Sequence, residues 1–381
     1  IKAVSDSEFI VMQRPELTRV SDTDGDGAAD NFETISADFG LSGNYHEFAF
    51  GPATAPDGSL FVSLNVASNK RGVSHEIRGR WSDIGLARES MTENPEWKSI
   101  AENAGRMYAR VAYRGWVLKI DPKTGATEPW CSGLRSPNGL CFDPGGELFL
   151  TDNQGDWLGT SKLYHAQKGD FLGHPASLIW QDGWDGRDPI EIPDTELDSM
   201  RTRAAVLIPG STMANSPTAP VLIPDGHPFA GQLICGEMNR PRILRFMLET
   251  VSGVRQGAVT PFVDGAPLNP GINRLAFAPD GSLYAGSTHL SWAGGEGIQR
   301  IEFPASPPSD ILTAKLRKDD RGLVLTFTEK LDPASVLPSS FKVRRYYFEY
   351  HARYGSDEFD NTTISPGSAS LSDDGKTVSL D

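Results

Sequence analysis

One phrase recurs along this chain and narrows what it can fold into. It reads His46-Glu-Phe-Ala-Phe-Gly followed by Pro56-Asp-Gly-Ser-Leu-Phe-Val-Ser-Leu-Asn65. It returns as Asn138-Gly-Leu-Cys-Phe-Asp-Pro144-Gly-Gly-Glu-Leu-Phe-Leu-Thr-Asp-Asn153, and again as Asn273-Arg-Leu-Ala-Phe-Ala-Pro279-Asp-Gly-Ser-Leu-Tyr-Ala-Gly-Ser-Thr288. Each copy is an apolar strand, a Pro-x-Gly turn and a second alternating strand, which is a hairpin signature. The turns at Pro56, Pro144 and Pro279 lie 88 and 135 residues apart, close to two and three multiples of one unit. That unit, about 40–50 residues, is the length of a four-stranded propeller blade. A looser copy runs from Pro224-Asp-Gly to Glu237. The expected fold is all-β: a β-propeller.

Charge and apolar content remove several classes of function. A formal net charge of −14 argues against nucleic acid and anionic membrane surfaces, both of which need a basic face. No apolar run approaches the roughly 18 residues of a spanning helix. The first residue is Ile1 rather than Met, so a removed or trimmed signal peptide is expected, and with it a periplasmic or secreted location. Cys131, Cys141 and Cys235 are too few for a disulfide scaffold.

The second signal is a metal loop. Asp22-Thr-Asp24-Gly-Asp26-Gly27-Ala28-Ala-Asp30-Asn-Phe-Glu33 places acidic oxygens at positions 1, 3, 5, 9 and 12 of the twelve-position calcium pattern, with Gly at 6. A hard cation takes six to eight oxygens, and this spacing wraps them around one point, with the Ala28 carbonyl as the seventh-position ligand. The flanks read as strands rather than helices, so a structural, calcium-clamped hairpin loop is expected.

Along the chain, residues 1–303 read as propeller. Insertions break the period at about 66–107 and 166–205, and a linker, Pro304-Ala-Ser-Pro-Pro-Ser309, follows. Residues 310–381 alternate like a small β-sandwich that stops in mid-strand, so an incomplete domain is expected. Blade topology collects the starts of innermost strands and the ends of second strands at one mouth. The starts carry His46, Glu47, Arg135, Asn138 and Arg274; the ends carry Asp152, Asn153, Gln154, Trp157, Glu237, Asn239, Arg240 and His289. Aromatics beside carboxylates, amides and arginines suit a carbohydrate-type ligand. His46 beside Glu47 reads either as a base held by a carboxylate or as a structural pair. Arg135 and Arg274 suit an anionic ligand or pair with acids. His165 and His174 read as structural.

Gly133-Leu-Arg-Ser-Pro-Asn-Gly-Leu-Cys-Phe-Asp-Pro-Gly-Gly-Glu-Leu-Phe-Leu-Thr-Asp-Asn-Gln-Gly resembles the PQQ-dependent soluble sugar dehydrogenases, including the glucose/sorbosone dehydrogenase group. Gly43-Asn-Tyr-His-Glu-Phe-Ala-Phe-Gly-Pro, Arg114-Gly-Trp-Val-Leu-Lys-Ile-Asp-Pro and Asp170-Phe-Leu-Gly-His-Pro-Ala-Ser are more closely similar to the large secreted propeller proteins of planctomycetes and relatives, often fused to cytochrome-like modules. The resemblance implies six blades, sugar oxidation, PQQ on the top face with calcium at the quinone, a His base, Arg residues on the PQQ carboxylates and a cytochrome-type electron acceptor. Arg135 matches the Arg of the family's Arg-Asn-Pro, with Ser136 in place of the Asn. His46 lies several residues nearer the strand than the family's catalytic His. Asn138 also resembles the metal-binding Asn of gluconolactonase-like propellers, with Glu47 and Glu237 as loose counterparts of their acidic ligands; that class implies metal-dependent hydrolysis, and a lyase using His46 belongs beside it. A glycan- or protein-binding propeller without catalysis is the third class.

Overall fold

The computed structural model describes residues 1–68, 77–84, 107–290, 293–304, 306, 308–317 and 321–381. Much of the first insertion, 69–76 and 85–106, therefore lies outside the described residues. The chain is nearly all β, with 43% strand and 6% helix, arranged in successive antiparallel sheets of the propeller type. No helix among the described residues is long and apolar enough to cross a membrane.

The chain forms two compact units, one holding residues 1–204, 217–220 and 350–355, the other the remainder. In the first unit, Lys2–Ala3, Glu8–Met12, Leu17–Ser21 and Asn31–Ser36 make one four-stranded meander, and Ala49–Thr54, Leu60–Leu64, Trp116–Ile120 and Thr127–Ser132 make the next. Pro137–Phe142, Leu148–Asp152 and Ser161–Ala166 continue the pattern. The second unit contains the meander Val221–Leu222, Leu233–Gly236, Arg242–Val251, Val254–Asp264, then the sheet of Ile272–Phe277, Leu283–Ser287 and Ile298–Ile301. After the linker, Ile311–Leu316 and Leu323–Phe327 join Thr377–Leu380 and Ala369–Leu371 in one sheet, and Val343–Tyr347 pairs with Phe359–Ile364. Among the described residues five meanders precede the linker.

The three repeated phrases form the hairpins that their turns demand. Gly58, Gly146 and Gly281 hold φ of +85°, +80° and +83°, which a side chain would resist. The second strand of the phrase is expected to alternate; packing explains why Leu60–Leu64 and Trp116–Ile120 instead carry apolar residues toward both faces. On Leu60–Leu64, Leu60, Val62 and Leu64 face one core layer with Ile10, Leu17 and Phe39, whereas Phe61 faces the other with Leu140, Leu150 and Tyr164. Trp116–Ile120 divides the same way, with Val117 opposite Trp116, Leu118 and Ile120. A sheet covered on both faces loses its polar stripe, and each such side chain contributes about 1.5–3 kcal/mol by leaving water.

The second insertion folds into short helices, Pro175–Trp180, Pro189–Glu191 and Asp194–Met200. Its tryptophans plug the insertion: Trp184 packs with Phe171 and Leu197, and Trp180 donates to the Ala109 carbonyl.

Candidate functional site

The loop before Ala49–Thr54 is built around two buried groups. Arg114, wholly buried, donates to the carbonyls of Gly40 (2.7 Å), Glu47 (3.1 Å), Phe48 (3.1 Å) and Arg14 (3.0 Å). The Asn44 carboxamide, also buried, accepts the N–H of His46 and of Ser68 at 3.0 Å each and donates to the Ser68 carbonyl. Backbone and carboxamide bonds therefore fix where His46 starts.

His46 is half-buried, and its Nδ1 lies 2.8 Å from the Val66 carbonyl. A carbonyl only accepts, so Nδ1 carries the proton and Nε2 keeps its lone pair. Burial, then the Arg135 charge, pushes the imidazole down to about 4, against the smaller opposing pull of Asp156. At neutral pH His46 is an uncharged imidazole with an unprotonated Nε2.

Adjacency suggested Glu47 as the orienting partner of His46, and the structure places it elsewhere. The Glu47 carboxylate is fully buried and accepts the Ser42 N–H and hydroxyl, both at 2.7 Å. His46 and Glu47 lie in a turn whose backbone bonds run from Glu47 N–H to the Asn44 carbonyl and from Phe48 N–H to the His46 carbonyl. With the Glu47 carboxylate committed to Ser42, the carbonyl of Val66 orients the imidazole.

Arg135 stands on the next hairpin. Its Nε donates to Asp156 Oδ1 at 3.4 Å, and its guanidinium lies 5.2 Å from the Tyr354 ring centroid. Among the described residues its two terminal amino groups have no protein hydrogen bond. Gly155 makes room for this arginine, since a Cβ there would sit 1.9 Å from Arg135 Nε. Asp156 also accepts the Met107 N–H at 2.9 Å and lies 3.3 Å from His174 Nε2. His174 is wholly buried and its Nδ1 accepts from Ala176 N at 3.4 Å, which leaves the proton on Nε2, facing Asp156 as a close contact without hydrogen-bond alignment. Although burial works to raise it, Asp156 is held well below the usual carboxylate range by His174, Arg135 and the Met107 N–H. The sequence reading missed this Asp156–His174 pair; the Gly-His-Pro turn that caps Pro175–Trp180 was its one local trace.

The other residues of this unit are braces. Asp152, fully buried, accepts the N–H of Arg135 (2.8 Å) and Ser136 (2.7 Å). Burial raises it to about 6 against those two bonds, and burial lowers its neighbour Lys162 to about 7. Asn153 and Gln154 extend this edge by backbone bonds to the Ser136 carbonyl and Ser161 hydroxyl. Trp157, at φ +58°, is buried; its indole donates to Asp194 and its ring meets His174 edge-on at 5.3 Å. Asn138 sits half-buried within Pro137–Phe142.

Five expected site residues belong to the second unit. Glu237 is a backbone clasp there: one carboxylate oxygen accepts Asn215 and Ser216 N–H, the other Asn239 and Arg240 N–H. Arg240 donates to the Gly210 and Ser211 carbonyls, Arg274 to its neighbour Asn273, and His289 lies exposed on a two-residue strand. In the acidic loop, Asp22, Asp24 and Asp26 bring carboxylate oxygens within 4.8 Å of one another. Asp22 accepts from Gly25 and Gly27 N–H, and Ala28 N–H bonds to Asp26. Asp30 instead holds the Thr23 N–H (2.9 Å) and hydroxyl (2.6 Å), and Glu33 pairs with Arg19 at 3.0 Å across the two strands.

No family model matches the sequence, and neither does any curated protein. Similar solved structures include a glucose dehydrogenase-type oxidoreductase from Thermus thermophilus, 18% identical over 72% of this chain and 68% of that one, TM-score 0.42. The PQQ-bound aldose sugar dehydrogenase from Streptomyces coelicolor is 14% identical over 78% and 75%, TM-score 0.42. The Trichoderma reesei carbohydrate-active enzyme of family AA12 is 12% identical over 77% and 78%, TM-score 0.48. Likeness at this level assigns no chemistry; the side chains must.

Proposed function

We propose that this propeller is a sugar dehydrogenase of the quinoprotein kind, with His46 as the base and Arg135 as the anchor for an anionic cofactor. One observation carries the reading: a neutral imidazole, its tautomer set by the Val66 carbonyl, stands beside an arginine whose terminal amino groups have no hydrogen-bond partner among the described residues. Such an arginine can receive a carboxylate through two parallel N–H bonds, so the residues fit one carboxylate of a pyrroloquinoline quinone. When bound, that quinone supplies the two-electron acceptor. His46 Nε2 would take the proton of the sugar hydroxyl as its carbon becomes a carbonyl, and the resulting imidazolium would be stabilised by the Asp156 charge. Burial of Asp156 and His174 keeps water from competing for these contacts. The lactonase alternative is less well supported, because Glu47 and Glu237, its counterpart ligands, are committed to Ser42 and to four backbone N–H groups.

The test is a titration of calcium-loaded protein with PQQ, followed by absorbance and by dye reduction with aldoses and oligosaccharides. Saturable binding with sugar-dependent reduction is expected. Absence of binding would overturn the reading.

The acidic loop is proposed as a structural calcium site centred on Asp22, Asp24 and Asp26. Three carboxylates this close repel one another, and a divalent ion removes that cost. Calcium is expected to raise Tm by several degrees, and Asp24→Ala to abolish the increment. An equal response in the variant would show that the ion binds elsewhere.

A further inference from the structure

The segment 350–355 comes from beyond the linker yet packs in the first unit, beside Arg135. It is firmly held there. Tyr350 donates its hydroxyl to the Gly173 carbonyl at 2.5 Å and lies under the Arg201 guanidinium, 4.5 Å from its ring centroid. Tyr350 and Ala352 pack against the Trp157, Phe171 and Leu197 cluster. The Trp157 N–H donates to the His351 carbonyl at 2.9 Å, and the Gly355 N–H to the Gly155 carbonyl at 2.9 Å. A segment pinned at both ends then leaves two large side chains outside, Arg353 and Tyr354; Tyr354 is 65% exposed while its ring lies over Arg135.

A ring exposed to this degree gains little from burial, so its contact with the Arg135 guanidinium is the one structural use the described residues give it. A second exposed tyrosine borders the same place. Tyr45 is 41% exposed, with its ring edge-on to His46 at 5.8 Å between centroids. Rigid, amphipathic rings with few rotamers to lose, flanking polar groups in water, are what a hydroxylated ring binds against: flat apolar faces for its C–H groups and polar edges for its hydroxyls.

We infer that Tyr354, delivered by the 350–355 segment, is a specificity-determining residue that stacks against a pyranose ring of the substrate, with Tyr45 as the lesser wall on the His46 side. The inference rests on the carbohydrate-oxidising reading of this site and deepens it. It assigns the segment a role in ligand recognition, and it predicts preference for ligands with a second sugar ring able to reach Tyr354.

The test is calorimetric binding of glucose, maltose and cellobiose to the full chain without quinone, for wild type, Tyr354→Ala and Tyr354→Phe. Steady-state kinetics with quinone and circular dichroism accompany it. The expected result is a disaccharide Kd at least about tenfold weaker for Tyr354→Ala, about 1.4 kcal/mol, and within about twofold of wild type for Tyr354→Phe. KM should rise in the alanine variant while kcat stays within about twofold. Equal disaccharide affinity in Tyr354→Ala and wild type would overturn the inference and leave the dehydrogenase reading to the dye assay. Binding lost in the alanine variant without any turnover in wild type would uphold the stacking role and sink the dehydrogenase reading. No binding by wild type to any of the three sugars would overturn the inference as well.

Discussion

Replacing His46 by Asn is expected to lower sugar-dependent turnover by about 100- to 10,000-fold, the usual contribution of a positioned general base, while sugar affinity stays near wild type. Asn keeps a donor for the Val66 carbonyl and fills a similar volume, so the loop held by Asn44 and Arg114 remains in place. The pH dependence is the sharper readout. Burial and the Arg135 charge depress the imidazole to about 4, so the base is neutral and competent above that value. The acid limb of kcat/KM should therefore lie near 4, well below the 6.5 of an exposed histidine. Arg135→Gln removes the second cause of the depression, and the limb should move to higher pH. An unchanged limb in Arg135→Gln, or a wild-type limb near 6.5, would show that another group titrates. Linkage gives a companion effect. The unfolded chain binds this proton first, so His46 favours folding above about 6.5 and that contribution is lost as the pH falls towards 4.

The hairpins were legible because their information is local. Pro56, Pro144 and Pro279 each precede a glycine whose positive φ closes the turn, and the apolar runs on either side needed no knowledge of the remainder. The strands flanking the acidic loop were legible for the same reason. What escaped was non-local. The Asp156–His174 pair joins a strand end to the cap of a short helix, and Tyr350 meets the Gly173 carbonyl across 177 positions of sequence; no spacing rule encodes either. Composition drew a boundary at the Pro304–Ser309 linker, yet residues 350–355 group with the first unit through contacts to Trp157 and Gly155. Carboxylates misled most. Glu47 and Glu237 have the residue type of ligands or acids, but an acid at a strand end serves equally to satisfy backbone N–H groups left over by the turn. Only the positions of Ser42, Asn215 and Asn239 reveal which use was made.

Arg114→Met is expected to be the most damaging single substitution in the first unit, at about 3–5 kcal/mol. Methionine matches the stem of arginine and removes only the guanidinium, so cavity formation is a minor part of the loss. The larger part is electrostatic. Burial lowers Arg114 to about 10, so it is still protonated at neutral pH, and its charge reaches four carbonyls from three separate segments: Arg14, Gly40, and Glu47 with Phe48. The bonds do not add one by one, because the Phe48 carbonyl keeps the Asn65 N–H and the Glu47 carbonyl keeps Arg14 Nε. The expected total is about 3–5 kcal/mol, the range known for breaking a buried ionic contact. Among the described residues no other single side chain donates to all four carbonyls. Arg14 helps, through the Glu47 and Asn44 carbonyls, but it is tied to the same loop and would loosen with it. The measurement is urea unfolding of wild type and variant, with Arg203→Met as the control. Arg203 makes one ion pair to Asp198 with its side chain 63% exposed, and exposed pairs of this kind contribute about 0–1 kcal/mol. A midpoint for Arg114→Met as small in its shift as that of the control would mean that water enters and solvates the four carbonyls. The loop carrying His46 would then owe its shape to Asn44 and Ser42 rather than to the buried arginine.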